Sequence, residues 1–175
     1  MERISLVPIG EIEQEVLMVL AAALPRTFGW PYILELPLPA PDYAFDHRRG
    51  QYRVEPILDR LRALPLESAR VLGVVNVDLY TPGLNFIFGQ ATMGGRDALI
   101  ALPRLRPTFY GLPDDPVLYH ERVVKEAVHE LGHTFGLPHC PDVLCVMHFS
   151  NTLSDTDTKG KEFCVHCRRR LIGRI

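Results

Sequence analysis

The sequence predicts an α/β fold of the α+β kind, a single compact domain in which helices flank a mixed, twisted β-sheet. Two observations carry this prediction. Residues 3–80 alternate between strand-like and helix-like apolar patterns, as chains with right-handed crossovers do. Residues 85–102 then hold two short strands that lie too close together for a crossover helix. At least one strand pair is therefore expected to be antiparallel and to lie at the edge of the sheet.

The first half of the chain is expected to contain three strands and two helices. The strands are predicted at 3–10, 31–39 and 70–80, and the helices at 11–24 and 55–64. The third strand is apolar through its middle, as a central strand buried on both faces should be. One face of the first helix is expected to be buried, formed by Ile12, Val16, Val19 and Ala23.

The second half is expected to contain two short strands at 85–92 and 97–102, then one long helix at 114–136. Asp114 or Asp115 would cap this helix ahead of Pro116. After Gly136 the pattern is that of a loop with a basic end. We therefore expect one domain over residues 1–175, with a sheet-and-helix subdomain (1–136) and a small C-terminal subdomain (137–175).

Composition excludes some classes of function. The chain has 47% hydrophobic residues and a net charge of -2, so it can form a core and has no overall field that attracts nucleic acid or an anionic membrane. It has neither a signal-peptide pattern at its start nor an apolar stretch of transmembrane length. We therefore expect a cytoplasmic protein without nucleic-acid or membrane partners, and in a reducing compartment its four cysteines favour metal binding over disulfides.

The segment HELGH, residues 129–133, is a candidate zinc site. His129 and His133 are four residues apart, so on a helix both imidazoles point from one face and can reach the same ion. Glu130 lies about 100° away around the helix, beside the metal and not aimed at it. This is the H-E-x-x-H pattern of zinc-dependent peptidases. The alternative is a helix with two hydrogen-bonded core histidines.

A third ligand can follow because Gly136 can take positive φ, end the helix and turn the chain back. His139 then lies within reach of the same ion, and Pro138 discourages a resumed helix. Three histidines leave the fourth tetrahedral position for water, as a catalytic zinc site requires.

With these residues in place, HELGHTFGLPH followed by CVM resembles the metzincin metalloproteases. The longer stretch HELGHTFGLPHCPDVLCVM, followed by CVHC, more narrowly resembles the archaemetzincin family. The resemblance covers residues 129–167, under a quarter of the chain. It implies a metzincin-like catalytic domain whose zinc ligands are His129, His133 and His139 and whose general base is Glu130.

The resemblance also implies roles for two later residues. Met147 would lie in the tight turn beneath the zinc, as an apolar floor and not as a ligand. Phe149 stands where some metzincins have a tyrosine that can contact the zinc, so no hydroxyl is available there. Any such assistance must come from another residue; His148 is close in sequence, although a surface or packing role is the alternative for it.

The four cysteines form two short-spaced pairs, Cys140 with Cys145 and Cys164 with Cys167. Two such pairs with 18 residues between them are typical of a closed tetrathiolate zinc site. Disulfides or four unrelated thiols are the alternatives. The archaemetzincin resemblance points to a second, structural zinc, so we expect two Zn2+ ions per chain, and the second would fasten the C-terminal segment to the loop that carries His139 and Met147.

The sequence therefore predicts a zinc metallopeptidase that acts on peptide or protein substrates. A zinc-bound water would attack the carbonyl while Glu130 accepts its proton. The segment 85–92 would pair with an extended peptide as an edge strand, or would be an ordinary sheet strand. The alternative functions are a non-catalytic two-zinc binding protein and a zinc hydrolase of non-peptide amides. No sequence feature specifies an oligomeric state.

Overall fold

The computed structural model describes residues 2–174 and contains eight strands and five α-helices within that range. The strands are β1 (Ile4–Ile9), β2 (Tyr32–Leu34), β3 (Phe45–Asp46), β4 (Gln51–Arg53), β5 (Arg70–Val75), β6 (Leu79–Tyr80), β7 (Gly89–Ala91) and β8 (Asp97–Ala101). The helices are α1 (Gln14–Phe28), α2 (Val54–Arg62), α3 (Pro116–Thr134), α4 (Leu153–Thr158) and α5 (Val165–Ile172).

A five-stranded mixed sheet forms the centre of the molecule, in the order β2-β1-β5-β8-β7. The first four strands of this order are parallel, and β7 runs antiparallel to β8 at the edge. The α/β prediction, with an antiparallel edge strand within residues 85–92, is therefore confirmed. Strands β1 and β8 are fully buried, because α1 and α3 cover one face of the sheet and α2 covers the other.

A second, three-stranded sheet of order β3-β4-β6 was not predicted. The prediction of a single strand at 70–80 was wrong. This stretch forms two strands, β5 and β6, which belong to different sheets. The division falls at Asn76–Asp78, where polar side chains form hydrogen bonds with residues outside the main sheet. The Asp78 carboxylate accepts bonds of 2.6 and 2.8 Å from Arg104 and one of 3.1 Å from Gln51. These bonds turn the chain away from the main sheet.

Helix α1 differs from its prediction in both extent and orientation. It begins at Gln14 and continues past Pro25 to Phe28, where Gly29 ends it with φ 74°. Its buried residues are Val16, Leu20, Leu24 and Phe28. Of the predicted face, Val16 is fully buried and Ile12, which precedes the helix, packs partly buried against the same core. Val19 and Ala23 are not fully buried, because the helix packs along a strict i, i+4 row that extends beyond the predicted end.

The region after Gly136 also contains the two short helices α4 and α5, which were not predicted. Helix α4 binds α3 mainly through polar contacts. Arg122 of α3 makes a bidentate ion pair with Asp157, at 2.7 Å for both bonds, and Lys125 donates to the Thr156 carbonyl at 3.1 Å. Few apolar residues carry this contact, so apolar periodicity could not predict α4. Within residues 2–174, no helix is long and apolar enough to span a membrane.

A buried ion pair completes the contact between α3 and the C-terminal region. The Lys159 ammonium nitrogen lies 2.9 Å from a Glu126 carboxylate oxygen, and the side chains are 0% and 3% exposed. The Thr156 hydroxyl donates to the same oxygen at 3.2 Å. Each charge depends on the other, because an unpaired charge is costly to bury.

The substitution Lys159→Met is therefore expected to lower the free energy of unfolding by about 3–5 kcal/mol, because it leaves the Glu126 carboxylate buried without its cation. Urea unfolding followed by circular dichroism measures this. The double variant Lys159→Met/Glu126→Leu removes both charges and should recover most of the loss. A single variant within about 1 kcal/mol of the natural protein would contradict the expectation.

Candidate active site and metal centres

Helix α3 carries the first half of the site. Its cap is Asp115, whose carboxylate accepts a 3.0 Å bond from the Leu118 N–H, and Pro116 occupies its first turn. At its other end Gly136 has φ 75°, and the Leu137 N–H turns back to the Gly132 carbonyl at 3.1 Å. The predicted cap and the predicted turn at Gly136 are both confirmed. This turn directs the chain back toward the face of the helix that carries the histidines.

The three predicted histidines lie together. One ring nitrogen from each of His129, His133 and His139 falls within 4.8 Å of the others. The Nε2 atoms of His129 and His133 are 3.1 Å apart. Two nitrogens bound to one tetrahedral zinc at about 2.0–2.1 Å would be about 3.4 Å apart, so this spacing suits a shared ion.

Backbone carbonyls orient the two helical histidines. Nδ1 of His129 donates to the Val146 carbonyl at 2.8 Å, and Nδ1 of His133 donates to the Leu137 carbonyl at 2.7 Å. A carbonyl can only accept, so the proton belongs on Nδ1 and the Nε2 lone pair is free to bind a metal. Burial lowers the pKa of all three histidines, that of His129 well below its ordinary value. Neutral imidazole is the form that binds zinc.

Glu130 lies beside the histidines and beneath the edge strand β7. Burial raises the pKa of its carboxyl well above the ordinary value; the neighbouring Glu126 raises it further and the Lys159 ammonium opposes this. A Cβ atom on Gly89 of β7 would lie 2.7 Å from Cγ of Glu130 and 2.7 Å from the Leu99 carbonyl oxygen. Only glycine at position 89 leaves room for this carboxylate under the strand.

The substitution Gly89→Ala is accordingly expected to displace Glu130 and to lower kcat for peptide hydrolysis by about 10²-fold, because a 1 Å misplacement can cost that much. Zinc content should be unchanged, since Glu130 is not a predicted ligand. Peptide hydrolysis and elemental analysis of the same sample provide the measurement. Gly111→Ala is a useful contrast, because no atom lies within 4 Å of a Cβ there, only its positive φ is strained, and it does not line the cleft. Equal losses in both variants would argue against a specific role for Gly89.

Met147 lies in a tight turn under the histidines. The His148 N–H donates to the Cys145 carbonyl at 2.9 Å, and the Met147 side chain is fully buried. Its sulphur packs so closely on Gly132 that a Cβ there would overlap it. The turn also presents the Val146 carbonyl that orients His129. Met147 therefore packs against α3 in the same turn that orients His129.

The four cysteines form a second cluster. Their sulphur atoms lie within 4.8 Å of one another, and Cys140 and Cys164 are 3.8 Å apart. A tetrahedral zinc with bonds of about 2.3 Å places its sulphur ligands about 3.8 Å apart, whereas a disulfide bond is about 2.05 Å long. All four thiols are free. Two backbone N–H groups point at sulphur atoms of the cluster, that of Cys164 at Cys145 at 3.3 Å and that of Cys167 at Cys164 at 3.5 Å.

Two side chains near the turn have contacts of their own. The Phe149 ring packs against the His139 ring with centroids 4.8 Å apart, so it supports that histidine and offers no hydroxyl. Nδ1 of His148 donates to the Cys140 carbonyl at 2.9 Å. His148 therefore bonds to the backbone of the loop that carries both His139 and Cys140. This is a packing role, the alternative given for it above.

A cleft of about 230 Å³ opens over the histidines. One wall is formed by the chain from Thr81 to Gln90, which includes the edge strand, and the other by residues 149–151. Glu126 and Glu130 of α3 lie in its floor with the three histidines.

Sequence reasoning missed three residues of this site. Gly89 could have been found, because a glycine inside a strand often marks a close backbone approach. Glu126 lies one helical turn before Glu130, a spacing that places both carboxylates on one face. Lys159 had no sequence signal, since only the fold brings it under α3.

The chain is similar to known proteins along almost all of its length. The model of peptidase family M54 matches residues 14–172. The archaemetzincin of Pyrococcus furiosus is 45% identical over 99% of this chain and 94% of that protein. The archaemetzincin of Methanocaldococcus jannaschii is 43% identical over 97% of this chain and 92% of that protein.

Solved structures have the same fold. The archaemetzincin of Methanopyrus kandleri superposes with a TM-score of 0.87 at 40% identity, over 99% of this chain and 94% of that one. The archaemetzincin of Archaeoglobus fulgidus, solved with malonate, gives a TM-score of 0.84 at 38% identity, over 96% and 99% of the two chains. A zinc-dependent peptidase of Methanocorpusculum labreanum gives 0.87 at 28% identity, over 96% and 99%.

Proposed function

Because the chain belongs to peptidase family M54, the archaemetzincins, and is a zinc metallopeptidase, we propose that it cleaves peptide bonds with Glu130 as proton acceptor and with two zinc ions, one catalytic and one structural. The observation that carries this proposal is the pairing of two separate ligand clusters, three histidines beside a buried glutamate and four cysteines nearby. The three-histidine set leaves an open coordination position, whereas the four-cysteine set is closed.

The proposed catalytic zinc is held by His129, His133 and His139. The spacing and the deprotonated Nε2 atoms of His129 and His133 suit one tetrahedral ion, and a ring nitrogen of His139 lies within 4.8 Å of the other two ligand atoms. A zinc ion in such a site activates water for attack on a carbonyl and stabilises the developing oxyanion. Met147 would form the apolar floor of the site, in the arrangement of the metzincin clan.

Glu130 is the proposed general base. Its carboxylate would accept the proton of the attacking water and pass it to the leaving amine. Burial alone favours its neutral form, but a dication bound by the adjacent His129 favours the anion and lowers the carboxyl pKa again. Glycine at position 89 keeps the carboxylate within the cleft.

The proposed structural zinc is held by Cys140, Cys145, Cys164 and Cys167. Within the proposed C-terminal subdomain (137–175, after the 1–136 part), it would fasten the C-terminal segment to the loop that carries His139 and Met147, because the two cysteine pairs lie on either side of α4. Cys140 follows His139 directly, so the two metal centres would be coupled. Four free thiols at this spacing also support a reducing, cytoplasmic location.

The proposed substrate path runs along β7. This strand ends the main sheet, and Gly89 and Gln90 line the cleft. A peptide in extended conformation can add to such an edge by backbone hydrogen bonds, which would hold its scissile bond above the histidines.

The test combines metal analysis with a peptide-library assay. The purified protein is expected to contain two zinc ions per chain, of which mild chelation removes one together with all hydrolysis. Added zinc should restore both. A single zinc that resists chelation, with no cleavage of any peptide, would favour a non-catalytic binding protein and overturn the proposal.

A further inference from the structure

The chain between β6 and β7, residues 81–88, forms the upper wall of the cleft, and we refer to it as the rim segment. Leu84 lines the cleft from this segment and is 46% exposed. On the opposite wall Phe149 is 47% exposed and packs against His139. Two large apolar side chains therefore flank the histidine cluster, and neither is needed to bind a metal.

The rim segment is fastened by the small second sheet. One guanidinium nitrogen of Arg49, which precedes β4, donates to the carbonyls of Leu84 at 3.1 Å and Asn85 at 2.9 Å. Gln51 of β4 donates to the Asn85 carbonyl at 3.0 Å. The Arg49 guanidinium also lies 4.1 Å from the centre of the Tyr80 ring. Arg49 itself does not line the cleft, so it acts on the cleft only through the rim segment.

A second arginine supports the same segment from the other side. The Arg104 guanidinium lies 4.2 Å from the centre of the Phe86 ring, and its bidentate ion pair with Asp78 fixes it there. At the end of the segment, the Ile87 N–H donates to the Leu79 carbonyl at 3.0 Å. Side chains of other elements thus bind the Leu84 and Asn85 carbonyls, and within the segment the Leu84 N–H donates to the Thr81 carbonyl at 3.1 Å. These bonds hold Leu84 at the cleft.

We propose that the rim segment is a specificity element: Leu84, held at the cleft by Arg49, selects peptides with a large apolar side chain next to the scissile bond. The proposal rests on the proposed peptidase function and names its substrate class. Leu84 and Phe149 offer exposed apolar surface on the two walls of the cleft, so an apolar substrate side chain there would be favoured over a polar one. Apolar pockets commonly discriminate between side chains by about 10–200-fold.

The test uses sets of fluorogenic peptides that differ only at one position flanking the scissile bond, as Leu, Ala or Asp, with both flanking positions scanned. The zinc-loaded natural protein is expected to prefer Leu over Ala by at least about 10-fold in kcat/KM. The Leu84→Asp variant should lose most of this preference, measured as the ratio of the kcat/KM values for the Leu and Ala peptides. The matched control is Leu36→Asp, at a leucine that is 88% exposed and does not line the cleft.

The role of Arg49 is tested by measuring KM, kcat and amide hydrogen exchange in a variant that lacks its side chain. Arg49→Ala should raise KM for the Leu peptide several-fold with little change in kcat, and should speed amide hydrogen exchange within residues 82–86. Its exposed neighbour Arg48, replaced by alanine, is the control and should change neither. A fall in kcat for every peptide would assign Arg49 a general structural role and overturn this part.

Binding separates this proposal from the peptidase function. Two hydroxamates that carry Leu or Ala side chains bind zinc without being cleaved, and their Kd values can be measured by calorimetry. A Leu preference without any hydrolysis would support the specificity of the rim segment and contradict the proposed reaction. Equal Kd values and equal kcat/KM values would overturn the specificity proposal, even in an active enzyme.

Discussion

Replacing Glu130 by glutamine is expected to lower kcat for peptide hydrolysis by about 10²–10⁴-fold, the range that general-base catalysis usually contributes. Glutamine has nearly the same shape but cannot accept the proton of the attacking water. The Glu130 side chain extends from α3 and lies beneath Gly89 of β7. The neutral amide of glutamine fits the same space. Since burial already favours the neutral carboxyl, the folded state should tolerate the change.

Zinc content must be measured on the same sample, because the expected loss is one of chemistry and not of metal. The variant should keep the zinc content of the natural protein, since Glu130 is not among the three histidines or the four cysteines proposed as ligands. Glu121→Gln, at an exposed position on the same helix, is the matched control and should retain full activity. Full turnover by Glu130→Gln would exclude Glu130 as the base.

Replacing Cys167 by serine is expected to release one zinc ion and to unfold the region after Gly136. In zinc-finger peptides a structural zinc contributes about 10–16 kcal/mol of folding free energy, as large as the stability of an ordinary domain. Here the four sulphur atoms connect the turn under the histidines to α5. His139 precedes Cys140, so loss of this zinc should also weaken zinc binding at the histidines.

Elemental analysis, thermal unfolding and hydrogen exchange of residues 137–174 would measure these effects together. Val165→Ser is the matched control, because Val165 lies between the second pair of cysteines on α5 and is 69% exposed. That variant should keep both zinc ions and nearly the same Tm. Two zinc ions in Cys167→Ser, or a mass that shows a disulfide in the natural protein, would contradict a tetrathiolate site.

The local sequence determined the α/β class and the identity of the candidate ligands. His129, His133 and His139 were identified because helix periodicity and one glycine turn decide which side chains meet within eleven residues. The antiparallel strand pair β7 and β8 was predicted from its short connection, which leaves no room for a crossover helix. Each of these predictions depends on contacts between residues that are close in the chain.

Only the tertiary structure decided the contacts that join distant parts of the chain. The apolar pattern did not reveal the second sheet, because its strands of two or three residues are too short to show a period. Lys159 meets Glu126 across 33 residues, Gly89 meets Glu130 across 41, and Arg49 meets Leu84 across 35. Pairings at such distances depend on how packed elements lie against one another, and no local pattern encodes that arrangement.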